Sequence, residues 1–158
     1  MVSPELSVFK LTAEGREQAR KSEQDMKLLS VDLQSLLSRD DLRSKVREDF
    51  YSGEFESAVI KAFKMVEEAV RRRAGLTPNE HGRDLFARAF SKSSPILKHP
   101  EAQTQGELES LFFLMAGAYG WFRNPPSHRT VTYADPQQAA QVLAFANLLL
   151  DMIDQCSV

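Results

Sequence analysis

Arg123 and His128 are the residues of this chain best suited to chemistry on a phosphodiester, and four residues separate them: Asn124, Pro125, Pro126 and Ser127. A guanidinium presents a planar fork of donors that fits a phosphate or a developing phosphorane. An imidazole titrates near neutrality, so it can take a proton from a ribose 2′-hydroxyl or deliver one to a leaving 5′-oxygen. Together the two groups suit metal-free RNA cleavage by internal attack of the 2′-oxygen. One histidine fills only one proton-transfer role per step, so a second group is needed, such as the same motif on a partner subunit.

The surrounding sequence must turn these side chains toward each other. Leu108, Leu111, Phe112, Met115, Ala118, Tyr119 and Phe122 recur at three- and four-residue steps, which predicts a buried helix running into the motif. Pro125 and Pro126 cannot continue it, and a residue before proline is pushed out of helical geometry. Arg123 and Asn124 are therefore expected on the last turn, with His128 returning after an extended corner. The plainer reading of the same residues is structural. A cation at a helix C-terminus offsets the macrodipole, asparagine often ends helices, and Pro-Pro stops them.

Other chemistries find less support. The histidines, His81, His99 and His128, have neither helical pair spacing nor a cysteine cluster beside them, so no metal site is expected. There is no G-x-S-x-G elbow, Walker loop or dinucleotide fingerprint, and no cofactor is expected. Gly117 and Gly120 lie inside an apolar helix, where close helix packing is the expected reason for them. Cys156 is the only cysteine, which excludes an intrachain disulfide and points to a reducing, cytoplasmic setting. No run reaches the length of a membrane span. The net charge of −2 excludes a protein that coats nucleic acid nonspecifically, so any such contact must be local.

Helical signals fill the rest of the chain. Residues 12 to 38 predict one helix, or two broken near Ser30, only partly buried, with Thr12 as a cap. Asp40 or Asp41 is expected to cap a short helix carrying Leu42, Val46 and Phe50. The strongest helix of the first half places Phe55, Ala58, Val59, Ala62, Phe63, Val66, Ala69 and Val70 on one face. It ends in Arg71, Arg72 and Arg73 before Gly75, a charge run suited to a solvated helix end or to one edge of a basic patch. A short helix is expected from Arg83 to Phe90. Thr104 and Glu107 form a capping box, and Asp135-Pro136 opens the last helix. Val131-Thr132-Tyr133 predicts one extended step. The fold class is all-α, a bundle of four main amphipathic helices with short accessory helices. Residues 1–40 are expected to form a partly exposed extension and 41–158 the bundle. Val8 to Ala19 resembles the closing strand and following helix of a winged-helix domain.

From about Leu42 onward the chain resembles the HEPN superfamily of small all-α proteins, and within it the uncharacterised Ymh-type family. The likeness rests on Tyr51 to Lys64, on Gly82-Arg83-Asp84-Leu85-Phe86 with Ala89-Phe90-Ser91, and on Gly117-Ala118 followed by Arg123 to Arg129. Arg123 and His128 fall on the Arg-x4-His ribonuclease motif. The resemblance implies a metal-independent endoribonuclease acting as a homodimer on RNA. Such proteins serve in toxin–antitoxin or phage-defence systems, which makes an antitoxin or defence protein a further expected partner. In that reading Arg123 binds the scissile phosphate, His128 handles the proton and Asn124 shapes the site. Arg129, Arg72 and Glu68 are the expected substrate-binding residues, Glu68 as a helix-borne polar partner. Thr130 departs from the tyrosine that some HEPN toxins carry there. Two alternatives stay open: a noncatalytic helical module that binds RNA or a partner through the same groove, and the oligomerisation part of a longer regulator.

Overall fold

The computed structural model describes residues 12–29, 31–123, 133 and 135–158. Among them lie seven helices: α1 (Ala13–Leu29), α2 (Leu33–Leu36), α3 (Asp40–Tyr51), α4 (Phe55–Arg73), α5 (Gly82–Ala89), α6 (Gln105–Arg123) and α7 (Pro136–Gln155). The fold is an all-α bundle. Helix α4 is its axis and packs against α3, α5, α6 and α7. Its apolar stripe supplies Ala58, Val59, Ala62, Phe63, Val66, Ala69 and Val70 to one continuous core, with Leu42, Val46 and Phe50 of α3 and Leu143, Leu149 and Ile153 of α7 opposite.

The helix ends follow the chemistry of their flanking residues. Glu107 Oε2 accepts from the backbone N–H groups of Thr104 and Gln103 at 2.7 and 2.8 Å, and Thr104 Oγ1 accepts from Glu107 N at 3.3 Å, completing the capping box. Asp135 accepts from Gln137 N, with Pro136 at the first helical position of α7. Thr12 caps α1 through Gly15 N. After α4, Gly75 adopts φ +64°, and Leu76 N and Gly75 N donate to the carbonyls of Arg71 and Arg72. That pairing satisfies the last carbonyls only with a left-handed residue, hence the glycine. The start of α3 differs from expectation. Arg39 takes the cap position, while Asp40 and Asp41 sit in the first turn, where their charges still favour the helix dipole.

The N-terminal part divides in two. The side chains of residues 13–22 are nearly all exposed, whereas Val31, Leu33 and Leu37 enter the core. Arg39 ties this segment to α7, donating to Asp151 at 3.1 Å and Asp154 at 2.5 Å, while its backbone N–H reaches Asn147. The expected break at Ser30, the residues Val8 to Leu11 of the winged-helix likeness, and the extended step at Val131 and Thr132 lie outside the described residues.

Between α3 and α4, Asp49 accepts from Lys61 Nζ at 2.7 Å and Ser57 Oγ at 2.5 Å. These donors, Lys61 foremost, hold its carboxyl below the ordinary 3.8. The stabilisation is therefore complete above the unfolded value and lost as pH falls through the lower folded one. Urea unfolding of Asp49→Asn is expected to show less loss of stability between pH 6 and pH 3 than the parent; an equal loss would place the acid sensitivity elsewhere.

Candidate functional site

Helix α6 ends at Arg123, and packing fixes that last turn. The Phe122 ring stacks on Phe63 of α4 at 4.9 Å and meets Phe145 of α7 edge-on at 6.2 Å. With one neighbour locked between two helices, the Arg123 backbone has little freedom. Its side chain is half-buried, and Nε is buried without a hydrogen-bond partner among the described residues. A buried donor left unmatched costs about 1–3 kcal/mol, more for a charged group, so an acceptor at this nitrogen would be stabilising.

The carboxylate that shares Tyr119 as a neighbour with Arg123 is Glu67. Its residue is 7% exposed, and Oε1 accepts from Arg71 Nη2 at 3.1 Å and from the Gly82 backbone N–H at 3.0 Å. Arg71 also donates through Nε to the Glu80 carbonyl at 2.9 Å. One carboxylate thus fastens the end of α4, the 77–82 loop and the start of α5 together. Tyr119, buried on α6, closes the set, its ring 5.0 Å from that of Phe86. Burial, and then the charge of Glu67, push its phenol above 10.0, while the cations Arg123 and Arg71 oppose that rise. The neutral phenol is the form present near pH 7. Two guanidiniums against one carboxylate leave the cluster net positive, as an anion site requires.

The expected site residues fall in different places. Arg123 stands at the cluster. Asn124, His128 and Arg129 lie outside the described residues. Arg72 is exposed and away from Glu67, and its neighbours are structural: Arg71 serves Glu67, and Arg73 donates twice to the Cys156 carbonyl. Glu68 faces solvent, 3.9 Å from Lys64, so it is not brought to the cluster. Glu67 takes the inward place. Both glutamates are expected on the solvated side of α4, and the burial of Glu67 corrects that: position 67 falls beside the apolar stripe of Phe63, Val66 and Val70, and Arg71 and the Gly82 N–H supply the partners a buried acid needs.

Gly117 and Gly120 also differ from expectation. No described atom lies within 4 Å of where a Cβ would stand at either, so close helix packing is not their reason. They floor a groove of about 290 Å³ between α5 and α6, bordered by Arg83, Phe112, Phe113, Ala116 and Tyr119.

The structure defines an all-α bundle in which α4 carries a buried carboxylate near the end of α6, where Arg123 stands. The chain belongs to the family described as a protein of unknown function (Hypoth_ymh), matched over residues 38–153. Neither a curated protein nor a solved structure matches the chain. Among the described residues no helix is long and apolar enough to cross a membrane, and no three metal-ligating side chains gather in one place.

Proposed function

We propose that this protein is a HEPN-type, metal-independent endoribonuclease that acts as a homodimer, the effector of a toxin or phage-defence system. The observation that carries the reading is the Arg123 guanidinium, held at the end of α6 with its Nε unmatched among the described residues, beside a cluster of net positive charge. Arg123 receives the scissile phosphate. His128 moves the proton, and Asn124 orients the groups around it, roles taken from the Arg-x4-His resemblance. The 2′-oxygen loses its proton and bonds to phosphorus, the bond from phosphorus to the 5′-oxygen breaks, and that oxygen leaves with a proton. The products are a 2′,3′-cyclic phosphate and a 5′-hydroxyl. Facing motifs from two subunits would supply base and acid in the same step. Glu67 positions the surroundings of Arg123 rather than touching substrate, since Arg71 and the α5 backbone already occupy Oε1.

Purified full-length protein incubated with total RNA is expected to cleave it equally with and without excess EDTA. Absence of cleavage overturns the proposal and leaves a helical dimerisation or RNA- and partner-binding module as the reading, and cleavage that the chelator stops overturns the metal-independent chemistry.

A further inference from the structure

From Phe113 onward the outward face of α6 is apolar. Phe113 is 60% exposed and Trp121 66%, although Leu111, Met115, Ala118 and Tyr119 on the same helix are in the core. Between the two exposed rings the helix carries Gly117 and Gly120, with open space above both. Phe113, Gly117 and Trp121 follow one another at four-residue steps, about 6 Å of rise each, so a bare shelf is flanked by an aromatic ring a turn above and a turn below. Arg83 of α5 borders this groove, Trp121 stands beside it on the outer side of α6, and among the described residues no acidic side chain lines it. Tyr119 belongs both to its wall and to the Glu67 cluster, and Arg123 stands one turn beyond Tyr119 on the same side of α6, so groove and cluster adjoin.

We propose that this groove is a base-stacking subsite for single-stranded RNA. Flat, exposed rings with a cation at the edge and no acid suit a polyanion whose bases can unstack from each other and lie on aromatic faces. The glycines leave room for a base to lie against the helix backbone, where any side chain would stand in its way. Phe113 and Trp121 hold bases, Arg83 neutralises a backbone phosphate, and the strand continues to Arg123. The subsite rests on the ribonuclease reading for its substrate and extends it by naming what holds the nucleotides beside the cut.

Trp121 is the only tryptophan of the chain, so its fluorescence reports on this face alone. Full-length protein in EDTA is titrated with a 2′-O-methyl hexaadenylate, which offers bases and phosphates but no attacking hydroxyl. Saturable quenching of Trp121 is expected. Phe113→Ala should weaken binding about tenfold, in keeping with the loss of one base–ring contact. Gly117→Leu fills the shelf and should remove the quenching. It should fold, because leucine suits a helix better than glycine and the site is open. No quenching, or quenching unchanged in Gly117→Leu, overturns the subsite. So does a Trp121 emission that shifts with protein concentration and ignores RNA, which makes the face a contact between two copies. Quenching with no cleavage of ordinary RNA keeps the subsite and removes the nuclease; full cleavage by Gly117→Leu without quenching does the reverse.

Discussion

Arg123→Ala is expected to lower RNA cleavage by about 10²–10³-fold, the loss typical when a preorganised donor to transition-state charge is removed. The phosphorane carries more charge on its oxygens than the starting diester, so the guanidinium contributes most when the reaction is halfway. Folding should hardly change. Alanine is the best helix former, and the lost interaction between a cation and a helix C-terminus is worth only about 0.3–1 kcal/mol. Arg123→Lys keeps the charge but loses the fork of donors, so it should recover part of the activity and not all of it. Steady-state cleavage beside a melting curve separates the outcomes. Full cleavage by the alanine variant would mean that this arginine does not hold the phosphate.

The largest effect on stability is expected at Glu67. Glu67→Ala leaves the Arg71 guanidinium and the Gly82 N–H without their acceptor in a region that is little exposed, the two side chains being 9% and 20% accessible. Breaking a buried pair from one side costs about 3–5 kcal/mol, because the remaining charge stays desolvated. The 77–82 loop and the start of α5 should loosen as well, since the carboxylate is what joins them to α4. Glu67→Gln keeps an acceptor oxygen and should cost clearly less. Urea unfolding of the three proteins decides it. A loss under about 1 kcal/mol for the alanine variant would place the pair among solvated surface contacts, which are worth no more than that.

Much of the scaffold around this site could be read from residue order. Thr104 with Glu107 marked where α6 begins, and Pro125-Pro126 come one residue after its last described helical residue, Arg123. Asp135-Pro136 opened α7, and Gly75 closed α4 through a backbone conformation that other residues rarely adopt. These signals are local, each a bond between neighbours in sequence. What escaped was decided across helices. Asp40 and Asp41 are adjacent acids, and nothing local says whether either stands at the cap or inside the first turn. Glu67 and Glu68 are also adjacent, and only the placement of Arg71 and Gly82 sends one inward and the other toward Lys64. Gly117 and Gly120 fall outside the stripe that periodicity picks out on α6, and residue order does not show whether a second helix covers the side they occupy. The open shelf became visible only once that covering was known.

The chemistry of the cut ends tests the central claim most directly. RNA treated with the parent protein in EDTA should carry 2′,3′-cyclic phosphates facing 5′-hydroxyls, and His128→Ala should generate neither. Ends bearing 3′-hydroxyls and 5′-phosphates, or cyclic phosphates formed as fast by the histidine variant, would contradict internal attack assisted by this imidazole.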